Sequence, residues 1–364
     1  MDENQYQQEP LVVASRESLT IDVPVPPESL RERMFALVGA LVVVLAAVSV
    51  GVHQWDKMRE ATVVAYVPPV PAVIEPAPKV TGDDPYTKVA VGARAALVYD
   101  VYAHKFLYTK EADKKLPLAS LTKLMTALLA MESLDNSTHV AVTQNALDTE
   151  GDSGLFANER WRLPDLVSFT LITSSNDGAD ALAAAVGGLW QSTPATTSEY
   201  LKVDAFVNKM NLRAKELGLS GMKFNNPTGL DEPNGDMGGV GTAKDVAELM
   251  TYIWQHDPVV LAHTDELDRT FTSTSGYVHD AENTNELVAT IPGLIGSKTG
   301  YTDMAGGNLA VLYNAGLDHP IVVVVLGSSK EGRFTDVNAL VDATYKYVES
   351  GWYNFEVAGS TSKG

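Results

Sequence analysis

Pro117-Leu-Ala-Ser-Leu-Thr-Lys-Leu-Met-Thr-Ala-Leu-Leu129 reads as the opening of a helix. Leu121, Leu124, Met125, Leu128 and Leu129 recur at i, i+3, i+4, i+7 and i+8, which is one apolar stripe of an amphipathic helix beginning just after Pro117. Ser120 then falls in the first turn, and Lys123, three residues on, projects from the same face, so an amine reaches a hydroxyl. The unpaired backbone N–H groups of a helix start also favour negative charge developing beside that serine. Taken alone, Ser120 is as well read as a cap and Lys123 as a solvated lysine. Two further strings change the weighing. Ser174-Ser-Asn176 lies on a loop entering the Ala-rich helical run that starts at Asp177. Lys298-Thr-Gly300 sits in an extended run, and two more apolar runs follow, 308–313 and 321–326, with Asn314-Ala-Gly-Leu-Asp-His-Pro320 between them, the pattern of a β-hairpin after a strand. Capping would account for the second string and a lysine at a sheet edge for the third. Each of these readings is ordinary singly, but three ordered coincidences are not.

The three strings match, in order, the S-x-x-K, S-x-N and K-T-G set of penicillin-interacting serine enzymes. The chain resembles the low-molecular-mass D-alanyl-D-alanine carboxypeptidases, penicillin-binding serine peptidases of bacterial cell-wall metabolism, over roughly residues 88–350. Three more segments carry the resemblance: Phe224-Asn-Asn-Pro-Thr-Gly-Leu230 with Thr242-Ala-Lys-Asp245 after it, Glu282-Asn-Thr-Asn-Glu-Leu287, and Gly327-Ser-Ser-Lys-Glu-Gly-Arg333. The resemblance implies an α/β fold, a central antiparallel sheet flanked by helices as in β-lactamases and transpeptidases. It also implies a substrate, the peptidoglycan stem peptide ending in D-Ala-D-Ala, and β-lactam antibiotics as acylating inhibitors. Ser120 is then the expected nucleophile, Lys123 its base and Ser174 a relay of the proton to the leaving amine. Asn176 is expected to hold substrate backbone. Lys298 and Thr299, with Arg333 nearby, are expected at the substrate carboxylate, and Gly300 is expected to let substrate backbone approach the strand. The oxyanion hole is expected from backbone N–H of Ser120 and, by family analogy, of Tyr301. At an ordinary pKa of about 10.4 only roughly one lysine in 2,500 is neutral at pH 7, a penalty of about 4.6 kcal/mol. Burial of Lys123 and the like charge of Lys298 are the expected remedies.

Residues 34–52 form 19 uncharged residues whose only polar member is Ser49. At about 1.5 Å per residue they just cross a hydrocarbon layer of roughly 30 Å. An uncleaved signal anchor is favoured over a cleaved signal peptide, because 33 residues precede the run and Ala47-Val-Ser49 is a mediocre cleavage site. Arg31 and Arg33 before the span nearly balance Lys57 and Arg59 after it, so the resemblance decides the orientation: N-terminus in, catalytic domain outside the cytoplasmic membrane. The expected organisation is a polar tail at 1–33, the span at 34–52, a linker at 53–87, the catalytic domain at 88–352 and a tail at 353–364. Five prolines within residues 66–78 make the linker a semi-rigid spacer. The N-terminal span is expected to replace the family's C-terminal membrane anchor.

A net charge of −19 argues against nucleic acid as a partner, and Lys123, Lys298 and Arg333 would form a positive island suited to a carboxylate. The absence of cysteine excludes thiolate chemistry, and the seven histidines lack ligand spacing, so no metal or other cofactor is expected. Gly238-Gly-Val-Gly-Thr242 reads as a loop without the context of a dinucleotide fingerprint. Three alternatives stay open. A muropeptide endopeptidase of the same fold is one. A serine β-lactamase is another, opposed by the lack of an E-x-x-L-N string between the second and third motifs. The third is a non-catalytic muropeptide or penicillin sensor, opposed by the intact Ser120, Lys123 and Lys298.

Overall fold

The computed structural model describes residues 82–190, 198–316 and 319–351. The expected span at 34–52, most of the linker, residues 191–197 and the tail from 353 lie outside the described residues. No described helix is long and apolar enough to cross a membrane.

The apolar runs that follow the third motif build the middle of the molecule. Strands β1 (Ala95–Asp100), β2 (Lys105–Lys110), β10 (Leu294–Thr302), β11 (Gly306–Asn314) and β12 (Pro320–Ser328) form one sheet in the order β10-β11-β12-β1-β2. Every pairing in it is antiparallel. The hairpin expected from 308–326 is present, with Asn314 opposite Pro320. Because side chains alternate across a strand, β12 divides its residues between two cores. Val322, Val324 and Leu326 join Ala95, Leu97, Ala310 and Leu312 on one face. Ile321, Val323 and Val325 join Ala96, Val98, Leu309 and Val311 on the other.

The first face is covered by helices α1 (Lys123–Ser133), α3 (Leu163–Ile172), α4 (Asn176–Trp190), α5 (Glu199–Glu216) and α6 (Ala243–His256), with the short α2 (Gln144–Leu147) beside them. Helix α6 starts at a capping box in which the Thr242 hydroxyl and the Asp245 carboxylate satisfy each other's backbone N–H. The second face is covered by α7 (Gly332–Glu349) through Val337, Leu340, Val341 and Tyr347. Tyr86 packs into this second core and its hydroxyl meets the Thr344 hydroxyl at 2.8 Å. The packed domain therefore begins before the expected boundary at residue 88, because an aromatic ring two residues upstream is needed to close the core.

Short ribbons complete the frame: β4 (His139–Ala141) with β5 (Arg160–Arg162), β8 (Asp268–Thr272) with β9 (Val278–Glu282), and a three-stranded sheet of β3 (Leu116–Pro117), β7 (Gly239–Gly241) and β6 (Lys223–Phe224). Within the glycine string at 238–242, read as a loop, Gly239–Gly241 form strand β7. Its glycines are there for proximity, since a methyl group on Gly239 would come within 2.4 Å of the Thr122 hydroxyl.

Candidate active site

The helix start at Ser120 departs from expectation. Residues Ala119–Thr122 form a 3-10 turn and the α-helix begins only at Lys123. The turn is shaped from outside. Asn308, fully buried on β11, donates from its amide to the carbonyls of Pro117 and Leu118, each at 3.0 Å. Leu118 N–H donates to Gly239 O on β7 at 2.8 Å. Ala119 adopts φ 47°, a left-handed conformation that alanine takes only under such constraint. On its other side, β10 passes so close that a methyl group on Gly300 would lie 2.9 Å from Leu118 O and 3.1 Å from Ser120 N. The lack of a side chain at Gly300 is thus already used by the chain's own backbone at the Ser120 turn.

The buried ammonium groups organise the rest. Lys123 and Lys298 are 0% and 1% exposed. Lys123 Nζ donates to Ser120 Oγ at 2.9 Å, Asn176 Oδ1 at 2.7 Å and Thr228 O at 2.8 Å. Lys298 Nζ donates to Ser174 Oγ and Thr299 O, both at 2.9 Å. Each lysine thus holds one of the serines expected to act. Their partners are hydroxyls and carbonyls, which bind an amine in either protonation state better than they compensate a full charge. Burial accordingly pushes Lys123 down to about 7, against the pull of Asp180 and Asp177 in the other direction. Burial also drives Lys298 well below the usual lysine range, helped by Lys123 and Arg333. Mutual repulsion was expected to act on Lys123. Among the causes of the Lys123 shift burial leads and no lysine contributes, whereas Lys123 and Arg333 add to the depression of Lys298.

Helix α4 is preceded by Ser175, whose Oγ accepts from Gly178 N–H at 2.9 Å. That hydroxyl caps the helix, so Ser174, at φ 61°, and Asn176 are free to face the lysines. Asn176 also donates to Glu150 O at 2.6 Å, so both ends of its amide are engaged within the protein. Thr299 is tied through its hydroxyl to that of Thr284 at 2.6 Å. Arg333 is buried, donates to Gly300 O at 3.0 Å and leans on the Phe334 ring; burial holds its guanidinium below the usual range. Tyr301 is half-exposed, with Lys330 above its ring. The positive island is therefore partly discharged by burial and is bordered by two carboxylates.

Three of the further segments quoted for the resemblance converge here. The 224–230 stretch supplies Thr228 O, and Thr126 on α1 fixes it through Pro227 O at 2.7 Å. The 282–287 stretch supplies Thr284, and the 327–333 stretch supplies Arg333. The carbonyls of Thr228 and Glu150 went unread because backbone atoms leave no residue-type signature. Asp180 was also missed; a carboxylate four residues after Asn176 in an Ala-rich helix is the signal that marked it.

The profile of peptidase family S11, described as D-alanyl-D-alanine carboxypeptidase, matches residues 81–330. The chain belongs to this family. Among family proteins it is 30% identical over 271 residues to the D-alanyl-D-alanine carboxypeptidase DacF of Bacillus subtilis, covering 72% of this chain and 65% of that one. The chain thus spans just under two thirds of that relative. It is 29% identical to a D-alanyl-D-alanine endopeptidase of Escherichia coli, over 74% of this chain and 81% of the other. The ampicillin-bound penicillin-binding protein D2 from Listeria monocytogenes superposes with a TM-score of 0.59 at 31% identity, over 71% of this chain and 98% of that one. Family membership accounts for the mixed architecture of antiparallel sheets flanked by helices.

Proposed function

We propose that the chain is a serine-type D-Ala-D-Ala carboxypeptidase that trims peptidoglycan stem peptides through a Ser120 acyl-enzyme. The observation that carries this reading is the buried Lys123 amine 2.9 Å from Ser120 Oγ. A pKa near 7 leaves about half of Lys123 neutral at neutral pH, so the penalty of about 4.6 kcal/mol for an ordinary lysine falls below roughly 0.5 kcal/mol. In the neutral form the hydrogen bond reverses: Ser120 O–H donates and Lys123 Nζ accepts.

As Oγ bonds to the carbonyl carbon between the two D-alanines, its proton passes to Lys123. The carbonyl oxygen becomes an oxyanion, received by the backbone N–H of Ser120 and Tyr301. Collapse breaks the C–N bond, and the leaving amine takes up that same proton from Lys123 by way of Ser174, whose Oγ accepts from Lys298, so that Lys123 is neutral again. Water attacking the ester, with Lys123 again as base, releases the shortened peptide and restores Ser120. Lys298 and Thr299 receive the terminal carboxylate of the substrate, Arg333 supports the strand at Gly300 O, and Asn176 aligns both Lys123 and the substrate backbone. β-Lactams enter the same path and stop at the acyl-enzyme. Residues 34–52 anchor the chain in the cytoplasmic membrane, N-terminus inside, with the Pro-rich linker carrying the catalytic domain outside.

The test is mass spectrometry after incubation with a pentapeptide ending in D-Ala-D-Ala, beside a cross-linked dimer and a penicillin-treated sample. Loss of one alanine and a penicilloyl adduct on Ser120 support the proposal. Cleavage of the dimer alone identifies an endopeptidase, and an adduct without any cleavage identifies a sensor.

A further inference from the structure

The first two turns of α4 fasten the 149–154 segment at three points. Asn176 Nδ2 donates to Glu150 O at 2.6 Å, Ser153 N–H donates to Asp177 Oδ2 at 3.1 Å, and the Thr149 hydroxyl donates to Asp180 Oδ2. The first of these points is the residue that holds Lys123 Nζ at 2.7 Å. Asp180 lies one helical turn beyond Asn176, on the same face, so a chain of contacts runs from Lys123 through Asn176 and the 149–150 segment to the Asp180 carboxylate. No salt bridge holds Asp180 among the described residues, and the cation it interacts with is Lys123. The mechanism above makes no use of this acid.

We propose that Asp180 is a positioning residue for Lys123, bracing the 149–154 segment against α4 and setting by its charge the pH range in which Ser120 is acylated. The inference rests on Lys123 being the base. The groups facing Asp180 are Lys123 from α1, Asp177 on its own helix and Glu199 at the start of α5; Asp152 from the fastened segment acts on Asp177. Burial pushes the Asp180 carboxyl up to about 6, while Thr149 and Lys123 hold it back and the other two acids push it further up. Lys123, at about 7, is in turn held up chiefly by Asp180. The two groups therefore exchange charge states across the same narrow interval, and each stabilises the ionised form of the other.

Asp180→Asn keeps the shape and removes the charge. Lys123 then loses its proton more easily, and the acid limb of the Ser120 acylation rate, read with a chromogenic cephalosporin on the full chain, moves to lower pH by roughly half a unit or more. Thr149→Ala moves it the same way, because Asp180 without its donor stays protonated to higher pH. It also serves if Asp180→Asn does not fold. Asp180→Glu retains the wild-type limb. The titration of Lys123, followed by carbon NMR of labelled lysine and assigned with Lys123→Met, shifts in parallel without any substrate. A rate lowered equally at every pH, with the limb and the Lys123 resonance unmoved, overturns the proposal and leaves Asp180 a brace only. If wild-type Ser120 is never acylated, the carboxypeptidase reading fails, while a Lys123 resonance that follows Asp180 upholds the coupling on its own.

Discussion

Replacing Gly300 with alanine tests whether β10 and the Ser120 turn are fitted to each other. The added methyl group would lie 2.9 Å from Leu118 O, 3.1 Å from Ser120 N and 3.3 Å from Ala119 Cβ. All three contacts are tighter than ordinary packing, and two are to backbone, which cannot rotate away. The strand cannot yield freely, since Gly300 is opposite Asn308 in the β10–β11 ladder and its carbonyl accepts from Arg333. The turn cannot yield freely either, because Asn308 holds Leu118 O. A relief of a few tenths of an ångström must therefore be shared between them, at a cost of about 1–3 kcal/mol of stability, the usual range for overpacking. A displacement of about 1 Å costs roughly a hundredfold in rate, so a fraction of that predicts an acylation rate down by about tenfold. Stopped-flow labelling with a fluorescent penicillin, beside urea melts, measures both quantities. Acylation within twofold of wild type together with unchanged stability would refute the fitted-contact argument.

Lys123 makes acylation fall about tenfold per pH unit below about 7, whereas an acid limb near pH 10 would show an ordinary lysine. Because the folded pKa of Lys123 is depressed, the unfolded chain binds more protons between about pH 7 and 10.5; this group's contribution to stability therefore rises with pH across that window and is lost as pH falls through it. Comparing urea melts of wild type and Lys123→Met from pH 7 to 9.5 reveals this slope, and parallel stabilities would contradict it. Glu159→Ala removes the carboxylate that takes His279 Nε2 at 2.7 Å and Phe156 N–H at 2.9 Å beside the Trp161 ring, and is expected to cost about 3 kcal/mol, where less than 1 kcal/mol would mean the pair is solvated. Asn308→Ala strips two carbonyls and Gly327 N–H of their partner in a fully buried place, for an expected loss of about 3 kcal/mol and slowed penicillin labelling.

The parts of this chain that could be read in advance are those where neighbouring residues determine one another. The leucine stripe of α1 follows from its own period, and the runs ending at Tyr313 and Leu326 from their lengths and the turn residues between them. The S-x-x-K spacing placed an amine on a hydroxyl because three residues along a helical backbone leave little choice. What escaped reading is imposed across the fold. The 3-10 turn at Ser120 is set by Asn308, 188 residues further along the chain, and no local propensity announces it. Burial of Lys123 was expected, but its extent was not legible, because desolvation comes from surrounding apolar and backbone atoms that no motif contains. Tyr86 stood in a stretch that looked like spacer, and only the partner core under α7 makes it structural.

The brace at Asn308 has a consequence for how this protein fails. Many enzymes carry their reacting group on a loop that loosens well before the domain melts, so activity fades ahead of structure. Here the proposed nucleophile, Ser120, is held between two strands of the principal sheet and one of a smaller sheet. Warming is therefore expected to remove penicillin labelling and the cooperative integrity of the sheet together, as a single event.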